Sequence, residues 1–286
     1  MRFALVGGDV RSALLARLFL RDGHRVQTWA LERAALPAEI PRAGSLTACV
    51  YGADAVVLPV PAERGGMLNA PLSAQAPAME ELIGALWPEQ LLLGGGFSPE
   101  SARAALREKL RLEDLLRRPD FVTANAALTA ECALGLLLRE SARALRDENV
   151  LVLGYGRIGR LLAQKLLALG AQVTAAARSP WDRAFAATAG CRALDYGELE
   201  GVIGEMGVVV NTVPARVLSS AALCCLEDGA LLVELASPPG GFDPVLAGNL
   251  GLRVLPAPGL PGKFAPEAAA ALMRDAVYAA LEEQEE

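Results

Sequence analysis

Three glycines are the first residues whose spacing points to a chemistry. Gly154, Gly156 and Gly159 form a G-x-G-x-x-G series inside VLGYGRIGRLLAQKLLALGAQVTAAARS, residues 152–179. In such a series the first glycine permits a tight turn and the second lets main chain approach a pyrophosphate. The third lets helix and strand pack closely, and the helix start faces the phosphate charge. Tyr155, Arg157 and Ile158 complete this cofactor-contacting stretch. The context matches the motif: an apolar strand (149–154), a helix (156–170) and a second strand (172–177) make one unit of about thirty residues. The chemistry implied is hydride transfer with a nicotinamide dinucleotide. The plain alternative is a βαβ unit that binds nothing.

The second strand of that unit ends in Ala177, Arg178 and Ser179. NAD sites place an acid near this point, on the ribose 2′-hydroxyl; here there is none. Arg178 and Ser179 suit a 2′-phosphate instead. NADP(H) is therefore the expected cofactor, with NAD(H) the second choice. Asn211, Thr212, Val213 and Pro214 end a later strand and line the expected cofactor path. ASPPGG (236–241), with Ser237, and APGLPG (257–262) end the next two strands. In doubly wound sheets ligands sit beyond the carboxyl ends of strands, so these loops are expected to converge on the nicotinamide end.

Strand-like and helix-like patterns alternate along the whole chain. This predicts an α/β fold of two doubly wound Rossmann-like domains, with the C-terminal helix packing back on the N-terminal domain. The expected boundaries are 1–122 plus 263–286 for the first, substrate-binding domain, a linking helix over 123–146, and 147–262 for the dinucleotide domain. Within the first, strands are read at 2–8, 25–30, 53–60 and 90–96 and helices at 9–23, 76–87 and 99–111. NAALTAECALGLLLRESARALR (125–146) reads as one long helix, starting near Asn125, Thr129 and Glu131. PAPGLPGKFAP (256–266) reads as a stiff loop before a last amphipathic helix. The default active site is a cleft between the domains.

The bulk numbers bound the rest. The 286 residues are 53% hydrophobic and 21% charged, a globular composition. A net charge of −6 removes the electrostatic drive for nucleic-acid binding. No leader pattern is read at the start and no membrane span along the chain. The five cysteines show no metal-ligand spacing, and small buried thiols in a reducing cytoplasm are expected. No metal site is expected. The single histidine, His24, follows Gly23 and reads as a surface residue at a helix end, which leaves little for a Ser-His-Asp triad or a histidine base.

GGDVR (7–11), NAALTAECA (125–133), GYGRIG, NTVP, ELASPPGG (234–241) and APGLPGKFAP (257–266) follow one another in the order of a known family. The chain resembles the A subunit of dipicolinate synthase over nearly its whole length, and more distantly the two-domain 2-hydroxyacid dehydrogenases. Two mild departures are Cys132, where a small residue such as glycine is expected, and Glu234, where aspartate is expected. The resemblance implies NADP-dependent oxidation of the dihydrodipicolinate-stage intermediate to pyridine-2,6-dicarboxylate, in the cytoplasm of the sporulating mother cell. It also implies, as partner, the flavoprotein-like B subunit of dipicolinate synthase. A homo-oligomer is expected.

Aromatisation of a dihydropyridine supplies much of its own driving force, so positioning and electrostatics would do most of the catalytic work. A substrate with two carboxylates calls for cations and backbone donors. Gly8, Asp9, Arg11, Arg64 and Asn125 are the candidates for holding it. Glu131, Lys263 and Thr129 are the candidates for catalysis, with Glu131 the carboxylate for acid–base work. Two rival readings stand beside this one. One is another NAD(P)-dependent dehydrogenase or reductase of a small carboxylic acid; the other is a non-catalytic cofactor-binding scaffold serving a flavoprotein partner.

Overall fold

The computed structural model describes residues 1–285. The strands are β1 Arg2–Val6, β2 Arg25–Trp29, β3 Ala55–Val57, β4 Glu63–Arg64, β5 Met67–Leu68, β6 Leu91–Gly94, β7 Arg111–Asp114, β8 Asn149–Leu153, β9 Gln172–Ala176, β10 Arg192–Leu194, β11 Val208–Asn211, β12 Leu231–Glu234 and β13 Arg253–Pro256. The helices are α1 Val10–Arg21, α2 Leu46–Val50, α3 Met79–Gly84, α4 Pro99–Arg107, α5 Pro119–Glu140, α6 Arg157–Ala168, α7 Pro180–Thr188, α8 Ser220–Cys224, α9 Pro244–Asn249, α10 Leu260–Phe264 and α11 Pro266–Glu285. They divide into two compact units: Met1–Asn125 with the chain from Ala265 onward, and Ala126–Phe264.

Each unit is a parallel sheet with helices on both faces. The first has the order β2-β1-β3-β6-β7, with β4 and β5 as a separate hairpin. Renumbered within the unit this is 2-1-3-4-5. The second, β10-β9-β8-β11-β12-β13, is 3-2-1-4-5-6. Both are doubly wound orders, and the second is the order of dinucleotide-binding domains. The two-residue alternation of β1 shows why the first sheet takes helices on both sides. Phe3 and Leu5 enter one apolar cluster with Leu15 and Phe19 of α1 and Met273 and Val277 of α11. Ala4 and Val6 enter the other with Leu82 and Ile83 of α3 and Ala104 and Ala105 of α4.

The C-terminal helix packs back on the first unit, as expected. Ala270, Ala276 and Ala280 are buried with Met273 and Val277 on its inner stripe. Polar contacts fix its register. Tyr278 donates its hydroxyl to Asp22 at the end of α1, 3.0 Å away. Arg118 donates to Glu283 through two nitrogens at 2.7 and 2.9 Å, and also pairs with Glu113 and Asp120. His24 is not the surface residue its neighbours suggested. It is half-buried, with ring centroids 5.2 Å from Phe3 and 5.7 Å from Tyr278.

Some boundaries differ from the sequence reading. The helix read over 99–111 stops at Arg107, because Lys109 turns at φ 56° and Arg111–Asp114 forms an edge strand. That strand is polar enough to hide its period. The long helix runs over 119–140 rather than 125–146. Pro119 opens it with Asp120 in the first turn, both favoured there. Arg253 donates to the carbonyl of Glu140 at its end, 3.0 Å away. By length and hydropathy this helix is apolar enough to cross a membrane, yet Ala126, Ala130, Ala133, Leu136 and Leu137 along it are packed inside the protein. The loop read over 256–266 contains the short helix α10. Of the cysteines, Cys49, Cys132 and Cys191 are buried as expected, but Cys224 and Cys225 are exposed.

The Arg118 cluster predicts a pH-dependent anchorage of α11. Hydrogen bonding from Arg118 holds the Glu283 carboxyl below its ordinary pKa of 4.5. The pair therefore contributes fully above that value and is lost as pH falls through the lower folded one. Arg118→Gln should lower Tm by about 2–4 °C at pH 7, and the gap to the parent should close in thermal melts taken towards pH 3. A gap that stays constant with pH contradicts the assignment.

Candidate functional site

The glycine series sits at the point where the second sheet reverses its strand order, between the ends of β8 and β11. Gly154 turns at φ 92°. A Cβ there would lie 2.6 Å from both Thr212 Oγ1 and Val213 Cγ2. A Cβ on Gly159 would lie 2.0 Å from the carbonyl oxygen of Gly154, so α6 reaches this turn only without a side chain at that position. A Cβ on Gly156 would meet nothing within 4 Å, which is the room a diphosphate needs. Gly156 is the N-cap of α6 and has no side chain to cap the helix amides. Those donors face a ligand's negative charge, with Arg157 exposed at the first helical position. Ile158 is half-buried behind them. The cradle fits a dinucleotide pyrophosphate.

A hollow of about 480 Å³ continues from this cradle. Ala177, Arg178 and Ser179 form one side and Tyr196 another, with Val213 beside the glycines. Arg178 is exposed, and among the described residues no carboxylate pairs with it. Arg183 braces the main chain beneath, donating to the carbonyls of Ala177 and Arg178 at 2.8 and 2.7 Å and to Asp195 at 2.7 Å. The hydroxyl of Ser179 is already the N-cap acceptor of α7, for the amide of Asp182. Tyr155 contributes backbone, since its ring is 3% exposed and burial raises its pKa. Burial also raises the pKa of Tyr196, and nearby Arg178 works against that rise.

The later strand ends are tied to one another. Asn211 was expected on the cofactor path, but its side chain is fully buried. It donates to Val213 O at 2.8 Å and to Glu234 Oε1 at 2.6 Å, and accepts from Val213 N at 3.1 Å. Its groups are consumed in shaping the turn. Glu234 in turn accepts from the amides of Ala236 and Gly241 at 2.9 and 2.8 Å. The departure from aspartate at this position thus places a longer carboxylate across the whole 236–241 loop. Thr212 donates to Leu153 O at 2.9 Å, while Pro214 and Ser237 are exposed on the loops.

The first unit's candidates have different surroundings. Gly8 turns at φ 108°, and a Cβ there would lie 1.9 Å from Ser12 Oγ. The amide of Gly7 is taken by Trp29 O at 2.9 Å. Asp9 caps α1, and Arg11 folds back on it through Nε and Nη2 at 3.0 and 2.8 Å. Arg11 was expected with its charge open to a substrate carboxylate; it is 13% exposed and already paired. Arg64 on the hairpin and Lys263 on α10 are exposed, and neither forms an ion pair among the described residues. Lys263 thus projects from a helix and not from the stiff loop the sequence suggested. Asn125 and Thr129 are four apart on α5 and share a face. They lie beyond its first turn, because the helix starts earlier than expected. Glu131 is exposed and Thr129 buried, so the two do not face one centre.

A larger hollow of about 820 Å³ lies in the first unit, between the hairpin, α3 and α4. Exposed ion pairs, Arg103–Glu100 and Arg107–Glu80, make its rim, and its glycines, Gly65 and Gly66, sit on the β4–β5 hairpin and not at a helix start. The smaller hollow carries the stronger chemical signature. Sequence reasoning missed Arg160, Asp182, Arg183 and Tyr196 around it, since the Arg160–Asp182 contact spans 22 residues and no local pattern announces it.

The family model for the N-terminal domain of the dipicolinate synthase A subunit matches residues 2–116. The dipicolinate synthase A subunit of Bacillus subtilis (strain 168) is 29% identical over 232 residues, 80% of this chain and 78% of that protein. The chain is similar to the A subunit of dipicolinate synthase. Crystal structures of that A subunit match the whole fold. The one from Bacillus halodurans has a TM-score of 0.84 at 25% identity, covering 98% of this chain and 97% of that one. The one from Bacillus subtilis has a TM-score of 0.84 at 25% identity, covering 99% and 96%. A second family model, the NAD binding domain of D-isomer specific 2-hydroxyacid dehydrogenases, matches residues 137–236. Residues 137–236 of the second unit thus match a nicotinamide-dinucleotide binding domain of dehydrogenase type.

Two outcomes follow for the second unit. Gly159→Ala should weaken binding of either dinucleotide by about tenfold or more, because the 2.0 Å contact forces the turn open; titration calorimetry with NADPH and NADH measures it. Glu234→Ala should speed hydrogen exchange at the Ala236 and Gly241 amides and cost about 1–3 kcal/mol. Unchanged exchange at both amides would show that the loop holds its shape without the carboxylate.

Proposed function

We propose that this chain is the nicotinamide-dependent half of a dipicolinate synthase. It oxidises the dihydrodipicolinate-stage intermediate to pyridine-2,6-dicarboxylate with NADP, together with a flavoprotein-like B subunit, in the cytoplasm of a sporulating mother cell. One combination carries the reading: a glycine cradle suited to a dinucleotide and a match to the N-terminal-domain model of the dipicolinate synthase A subunit lie in a single chain.

The bound nicotinamide would supply the hydride acceptor. The remaining work falls to the chain's own groups. Gly154–Gly159 and the start of α6 hold the pyrophosphate, and Arg178 holds the 2′-phosphate, which an unpaired guanidinium matches in charge and geometry. Ser179 adds backbone and the fixed α7 cap, and Thr212, Val213, Pro214 and Ser237 wall the path to the nicotinamide. Arg64 is the exposed cation of the first unit assigned to a substrate carboxylate, and Lys263 is the candidate on α10 of the second. Gly8, Asp9 and Arg11 form a rigid turn with its charges paired, and these residues and Asn125 make up the rest of the substrate set. Glu131 takes the ring proton and Thr129 supports the helix that carries it. The single histidine packs against Phe3 and Tyr278 and takes no part, which disfavours a 2-hydroxyacid dehydrogenase using a histidine base.

Two measurements test this. Purified chain, dihydrodipicolinate and NADP should yield pyridine dicarboxylate; formation only once the flavoprotein-like partner is added, with dinucleotide binding intact, would favour the scaffold reading instead. Arg178→Asp should weaken NADPH binding by about tenfold or more while NADH changes little. Equal loss for both dinucleotides sinks the 2′-phosphate assignment.

A further inference from the structure

One carboxylate, Asp182, lines the hollow assigned to the dinucleotide. It stands in the first turn of α7, three residues from Arg178's neighbour Ser179, whose hydroxyl caps its amide. An open carboxylate here would repel a 2′-phosphate, as the acid of an NAD site does. It is not open. Arg160 Nη2 pairs with Asp182 Oδ1. The guanidinium is held by more than that pair: its Nε donates to the carbonyl of Tyr155 at 2.8 Å. Its Cζ lies 5.6 Å from the Tyr155 ring centroid and 5.2 Å from that of Phe185. A backbone acceptor and two aromatic faces would keep it in place without the carboxylate.

We propose that Arg160 is a specificity-determining residue: it masks the charge of Asp182 and so makes the hollow accept the 2′-phosphate of NADP(H). This rests on the NADP reading above, and it adds a second, separable element to it. Arg178 attracts the phosphate; Arg160 silences the carboxylate that lines the hollow. A bridge that only joined α6 to α7 would affect both dinucleotides alike, because they differ solely in the 2′ substituent.

The test is a double-variant cycle on the full chain, read as the ratio of Kd for NADPH to Kd for NADH by titration calorimetry. Arg160→Met should weaken NADPH about tenfold relative to NADH by baring Asp182. Asp182→Asn should not lower relative NADPH affinity, and the double variant should recover the parent's ratio. In a chain that prefers NADPH, equal loss for both dinucleotides in Arg160→Met, or a double variant no better than it, overturns the mask. A parent with no preference for NADPH, or Arg178→Asp lowering both alike, overturns the NADP reading instead. Should Arg160→Met fail to fold, Asp182→Asn decides alone: a fall in NADPH affinity relative to NADH overturns the proposal.

Discussion

The second unit depends on one close approach, between the Cα of Gly159 and the carbonyl of Gly154. A helix can start that near a strand end only if its inner residue carries no Cβ. This nearness aims the free amides of α6 across the turn and keeps Thr212 within reach of Leu153 O. It also brings α6 close enough to α7 for Arg160 to touch Asp182. The anion-binding end, the strand-end turn and the charge pattern at the ribose position are therefore one construction. Relaxing the contact would disturb all three together.

A second tie works one layer out. Glu234 receives three hydrogen bonds, from Asn211, Ala236 and Gly241. Three donors on one carboxylate hold the loop in a single shape. The loop's prolines and glycines supply stiffness and close packing, and the carboxylate supplies the register. The polar groups at this end of the sheet thus divide into two sets. Asn211 and Glu234 face inward and shape the turn, while the amides of α6 and Arg178 are left for a ligand.

Much of this was legible in the sequence, because local chemistry produced it. The glycine series, the lack of an acid after β9 and the inner stripe of α11 all write themselves in short spacings, and they led to the doubly wound fold and the cofactor cradle. What was hidden had non-local causes. β7 is an edge strand whose residues, RLED, show no apolar alternation. The start of α5 is fixed by Pro119, six residues before the motif that drew attention, so Asn125, Thr129 and Glu131 occupy the helix middle. Arg11 reads as open in the sequence but folds back on Asp9, and Arg160 finds its partner 22 residues away. Motif spacing reports backbone requirements well; it does not report where a long cationic side chain finds its counter-charge.

The first unit is made from two stretches of chain with the whole second unit between them. Met273 and Val277, which close the apolar cluster around Phe3 and Phe19, are translated after every residue of the second unit. During synthesis the dinucleotide domain can collapse on its own continuous chain. The first sheet must wait, with one face covered by α1 but not by α11, until the last helix emerges. The order of maturation therefore runs opposite to the order of the N-termini, and a ribosome stalled late in the message leaves a finished cofactor domain attached to an unfinished neighbour.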